Sequence, residues 1–65
     1  MLNTEHAYFE AGYQAARARI QRDEGRASHW TRHFQKMRDT EAEADRAECR
    51  RLFEKGYAEA QPRRG

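Results

Sequence analysis

Twice in this 65-residue chain a glycine stands inside a helical pattern, and both times the surroundings are the same. Phe9-Glu10-Ala11-Gly12-Tyr13-Gln14-Ala15-Ala16 returns as Phe53-Glu54-Lys55-Gly56-Tyr57-Ala58-Glu59-Ala60, with Phe, Glu, Gly, Tyr and the final Ala identical. Spaced three and four apart, Phe, Gly, Tyr and Ala share one side of a helix. Glycine costs about 1 kcal/mol relative to alanine in a helix interior. Close approach of another backbone, which needs a missing side chain, is the simplest compensation. Each copy therefore reads as a docking face, an aromatic pair around a small notch, and the fold has to bring something against both.

The totals narrow what that something is. A chain of this length forms one small domain, whose core supplies no more than about 3–5 kcal/mol. Cys49 is the lone cysteine, so it has no disulfide partner within the chain and suits a reducing compartment. The N-terminus has neither the charged start nor the apolar run of a signal peptide, and no stretch is apolar enough to span a membrane; the expectation is a cytoplasmic protein with no membrane partner. Charged residues make up 37% of the chain, which suits either disorder or solvated helices, and the regular aromatic spacing decides for helices.

The expected fold class is all-α. Asn3 or Thr4 caps a first helix over 4–23, with Glu5 in its first turn and a stripe of His6, Phe9, Tyr13, Ala16 and Ile20. Gly25 stands where a left-handed C-cap residue belongs, giving a turn over 24–28. Ser28 caps a second helix whose stripe opens with Trp30, Phe34 and Met37. Past Asp39 the bulky apolar residues stop, returning at Cys49, Leu52, Phe53, Gly56 and Ala60 displaced by roughly 100° around an ideal helix. Two architectures accommodate that displacement. In the preferred one the second helix runs unbroken over 29–61 and forms an antiparallel hairpin with the first, followed by a frayed tail over 62–65. In the alternative, Thr40-Glu41-Ala42-Glu43 acts as a capping box, the helix breaks near Asp39-Thr40, and the chain makes a small three-helix bundle. The hairpin leaves the second motif overhanging by about 20 Å as an exposed face of Leu52, Phe53, Gly56, Tyr57 and Ala60, a surface for a protein partner or a second copy of the chain. The bundle covers that face by packing the two copies together.

Charge is uneven along the chain. From Arg17 to Arg38 seven basic residues face two acids, a balance of +5; from Asp39 to Ala60 seven acids face four bases, a balance of −3. Arg17, Arg22, Arg26, Arg32, Lys36 and Arg38 would gather around the turn with His29, Trp30 and His33. Such a tip has the chemistry for phosphates, with Trp30 to stack on a base.

Catalytic and metal chemistry find little support. His29 and His33 are spaced i, i+4 but have no third ligand nearby, so no metal or cofactor is expected. Cys49 has Arg46 and Arg50 close by but no base, and reads as a helix-packing residue. Glu41, Glu43, Asp45 and Glu48 pair with Arg46, Arg50 and Arg51 as surface support. Two or three thin helices offer little room for an enclosed pocket, no small-molecule substrate is expected, and an enzyme is not expected.

Gly12-Tyr13-Gln14-Ala15-Ala16, together with Gly56-Tyr57-Ala58-Glu59-Ala60, resembles the small bacterial ribosome modulation factor family. That family carries a Gly-Tyr-Gln-Ala-Gly segment early and a Gly-Trp-x-x-Ala segment late. The resemblance implies a helical, ribosome-binding protein in which Gly-aromatic notches lock helices together. Here Ala16 and Tyr57 stand where the family has Gly and Trp, and the gap between segments is longer. The leading expectation is a non-catalytic interaction protein that binds a larger protein or itself through Leu52, Phe53 and Tyr57, as an inhibitor, adaptor or assembly factor of the size common among phage and mobile-element accessory proteins. The competing one is an RNA- or ribosome-associated regulator that uses the basic tip.

Overall fold

A computed structural model describes residues 4–41 and 43–62. The described residues form three helices and no strand: α1 (Thr4–Ile20), α2 (Glu24–Asp39) and α3 (Glu43–Ala60). The expected cap at Asn3, the Ala42 position of the capping box and the tail at 63–65 lie outside the described residues.

Helix α1 ends in a Schellman arrangement. Arg22 N–H donates to the Arg19 carbonyl at 2.9 Å and Asp23 N–H to the Ala18 carbonyl at 2.6 Å, closing the last turn. The residue that takes the left-handed conformation is Arg22, with φ 61°, and not Gly25. Asp23 then serves the next helix as its N-cap, its carboxylate accepting from Arg26 N–H at 3.3 Å. The turn expected over 24–28 is therefore at 21–23. Gly25 and Ser28 sit within α2, because an Asp placed directly after the Schellman turn caps the helix one turn earlier than Ser28 would.

The single helix expected over 29–61 is interrupted after Asp39. Thr40 forms the C-cap of α2, its hydroxyl donating to the Met37 carbonyl at 2.7 Å and its N–H reaching the same oxygen at 3.2 Å. A straight helix over 29–61 would measure about 50 Å at 1.5 Å per residue, whereas the longest extent of the molecule is 35 Å. Thr40, read from sequence as the start of a third helix, is used to stop the second.

Helix α1 packs against both other helices, while α2 and α3 touch each other little. Its buried residues are consequently not one stripe. Tyr8, Ala11, Ala15, Ala16 and Ala18 are buried, as is Gly12, while Phe9 and Tyr13 are half-buried and His6 and Ile20 are exposed. Tyr8, Ala11, Phe34 and Cys49 form the core, with Trp30, Met37, Leu52 and Phe53 packed around them. The Tyr8 ring meets Phe34 edge-on at 6.0 Å, and Phe34 lies against Phe53 at 4.2 Å, so the aromatic residues link all three helices. Small alanines on α1 let the neighbouring helices come close.

The two motif copies meet. A Cβ added to Gly12 would stand 2.8 Å from the Phe53 carbonyl carbon, and one added to Gly56 would stand 2.9 Å from that of Phe9. Each glycine faces the backbone of the phenylalanine three residues before the other glycine. The duplicated sequence thus gives a reciprocal, pseudo-twofold contact between α1 and α3.

Candidate nucleic-acid interface

The aromatic face of α3, expected to be open, is engaged within the chain. Gly56 is buried on the Phe9 backbone, Phe53 lies on Phe34, and Leu52, Tyr57 and Ala60 are half-buried. The overhang that was to expose them does not occur, because the break after Asp39 returns α3 onto α1.

The six basic residues expected at the tip separate into groups. Arg17 and Arg26 come together in a cleft of about 290 Å³ between α1 and α2, lined also by Gln14, Ala18, Gln21 and Trp30. Arg17 is held over the Tyr13 ring, its guanidinium carbon 5.8 Å from the centroid. Arg26 is largely exposed and reaches the Asp23 carboxylate only at 3.9 Å, a contact of little energetic weight. Arg22 stands at the turn itself. On the other side of α2, Arg32 shares a second cleft with Arg19, Glu24, Ala27, Ser28, Thr31 and Gln35. Arg19 was not among the expected contacts, although its position two residues after Arg17 puts it on another side of the same last turn of α1. Lys36 is exposed farther along α2, and Arg38 lies beside α3.

Trp30 is half-buried, one side packed on the core. His29 and His33 approach its ring edge-on, each with centroids 5.9 Å away. The two histidines flank the indole, and no group of three or more His, Cys, Asp or Glu residues converges among the described residues. At the turn end of α1 and α2 the clefts therefore offer cationic forks from Arg17, Arg26, Arg19 and Arg32 with the Glu24 carboxylate among them, amide side chains from Gln14, Gln21 and Gln35, and the half-buried indole of Trp30. That is a donor-rich surface with one aromatic platform.

The chemistry inside the core is of another kind. Tyr8 O–H donates to the Glu41 carboxylate at 2.9 Å, with the Met37 carbonyl at 3.5 Å. Burial first, then the hydrogen bonds to Cys49 and Glu41, raise its pKa above the ordinary tyrosine value. Cys49 is a free, buried thiol against that phenol, in agreement with a packing residue. Glu48, held by Arg51, has its pKa lowered. No helix among the described residues is long and apolar enough to cross a membrane. Comparisons with protein-family models, curated proteins and solved structures found no match to the chain.

Proposed function

We propose that this is a non-catalytic helical protein that binds single-stranded nucleic acid, RNA above all, across the end of the molecule where α1 turns into α2. The observation that carries this reading is the cleft in which Arg17, Arg26 and Trp30 stand together. Guanidinium forks take backbone phosphates, and a partly exposed indole takes a base by stacking, a pairing that tolerates many sequences. Arg19, Arg22 and Arg32 extend the positive surface around both sides of α2. The resemblance to ribosome modulation factors supports the same direction, and so does the occupation of the Phe53-Gly56-Tyr57 face by α1, which takes up the surface a protein partner would otherwise use.

The test is fluorescence of Trp30, the sole tryptophan, during titration with short single-stranded RNA over a salt series. With about five phosphates neutralised, the logarithm of the affinity should fall against that of salt with a slope of roughly −3.5. Arg17→Glu with Arg26→Glu should abolish quenching while the helix content is kept. An affinity indifferent to salt, or unaltered by that double change, removes the reading.

A second reading, a protein partner or a second copy of the chain, is favoured by one observation. Ile20 is 46% exposed and lines a shallow cleft with Tyr13, Arg17, Gln21 and Ala60, where the two motif copies end. Ile20→Lys should leave RNA affinity in place and eliminate self-association if this cleft is where a copy docks.

A further inference from the structure

A separate cleft of about 470 Å³ opens where the last turn of α2 passes the outer side of α3, and four arginines line it: Arg38 from α2, and Arg46, Arg50 and Arg51 from α3. We infer that this cleft is a binding site for a single phosphate group, held between Arg38 on one helix and Arg46 and Arg50 on the other. The inference does not rest on the nucleic-acid reading, since Arg38 is twelve residues, or about 18 Å, along α2 from Arg26.

Four observations support it. Arg46, Ala47, Arg50, Arg51 and Glu54 recur at helical spacing on the side of α3 turned away from the Gly56 contact, so the helix itself presents them to one space. Among the described residues, four guanidinium groups share that lining with a single carboxylate, Glu54, which Arg50 holds at 3.7 Å. The acids just outside are engaged sideways, Glu48 by Arg51 and Asp39 by Arg38 at 3.5 Å, and all these pairs are solvent-exposed on at least one partner, where an ion pair is weak. Finally, Arg38 Nε is buried and has no hydrogen-bond partner among the described residues.

That last atom is the informative one. A buried donor left unpaired costs free energy, and the guanidinium that carries it is held 6.0 Å from the Phe34 ring centroid with a third of the side chain exposed. Swinging the guanidinium off the ring toward an anion in the cleft would give Nε an acceptor and keep the stem packed. Arg46 stands at the other side, its Nε making only a long, exposed hydrogen bond to the Glu41 carbonyl at 3.4 Å. Forks arriving from two helices suit a tetrahedral oxyanion, whose oxygens accept from several directions, better than a planar carboxylate, which one fork saturates.

The experiment follows arginine Nε–Hε signals of the whole ¹⁵N-labelled chain by NMR while inorganic phosphate is added. Saturable shifts confined to Arg38, Arg46 and Arg50 are expected, and Arg46→Ala, a change at an exposed helix position, should weaken binding about tenfold with the amide spectrum otherwise kept. Arg38→Lys, which retains charge but loses the fork, should weaken it as well. Shifts that rise without saturation at Arg22 and Arg32 as much as at Arg38 would overturn the site. A short oligonucleotide that moves these signals where phosphate does not would also overturn it, placing the charges on a polymer backbone.

Discussion

One methyl group separates Gly12 from Ala11 and Ala15 beside it, and only at Gly12 is there no room for it. The atom a Cβ would meet belongs to the Phe53 backbone, which cannot rotate away as a side chain can, so α3 as a whole would have to retreat. Gly12→Ala and Gly56→Ala are each expected to destabilise the fold by about 1–3 kcal/mol, the overpacking cost exceeding the gain in helix propensity. Urea midpoints of the two variants should fall together. Gly25→Ala is the control: nothing lies within 4 Å of its Cβ position, and its midpoint should hold or rise. Arg22 gives the opposite case, a side chain where the backbone has a positive φ. Arg22→Gly should stabilise by about 1 kcal/mol by relieving the left-handed strain, visible as a higher melting temperature. At Tyr8 the prediction concerns pH. Its pKa is raised in the folded state, so the folded chain favours the neutral phenol. The stabilisation is complete below the unfolded value of about 10 and is lost as pH climbs from there toward the higher folded value. Tyr8→Phe should flatten that alkaline decline in urea titrations between about pH 9 and 12, the range the unfolded tyrosine value brackets.

Among the elements, Asp23 joins two helices, since the same residue closes α1 through its N–H and opens α2 through its carboxylate. Asp23→Ala should cost about 1 kcal/mol, and Asp23→Asn much less, as measured by thermal melts. This junction also shows what a sequence hides. Gly25 and Ser28 carry the usual signs of a helix end and a helix start, but Arg22 and Asp23 do both jobs three to five residues earlier, and an arginine in the left-handed region leaves no compositional mark. That the chain is helical, and that Gly12 and Gly56 mark close backbone approach, was legible from spacing alone. The face of α1 was not, because a helix flanked on two sides buries residues from both, and Tyr8 with its alanines outranks the Phe9-Tyr13 stripe. The break after Asp39 was written in Thr40, but its role there is to end α2, and helix-forming residues on either side conceal it. For the basic residues, spacing along the chain placed Arg17 and Arg26 near one another. It had no means of separating Arg38, which the return of α3 takes to another cleft.

At the scale of the whole molecule the duplicated motif sets the choice between folding inward and associating outward. Both copies present the same shape, so the α1–α3 contact satisfies within one chain what a symmetric dimer would satisfy between two. An intramolecular partner is held at high effective concentration by the covalent connection through α2, whereas a second chain has to be recruited from solution. The chain should therefore run as a monomer in light scattering across a concentration series. Weakening the internal contact ought to change that. Gly56→Ala pushes α3 from α1 and leaves the Phe9-Gly12-Tyr13 notch uncovered, a face that can still accept an unmodified motif from another molecule. Mixing Gly56→Ala with Gly12→Ala tests this directly, since each variant keeps the glycine the other lacks. The intact copies, Gly12 of one chain and Gly56 of the other, clash with nothing only if the partner backbone at Phe53 or Phe9 can approach, as both retain. If the reciprocal notch is what holds α3 in place, the mixture should show a heterodimer mass and more helix than either variant alone. Two variants that stay monomeric and equally destabilised when mixed would mean that α3 is held chiefly by Phe34, Phe53 and Cys49, with the glycines only permitting the approach.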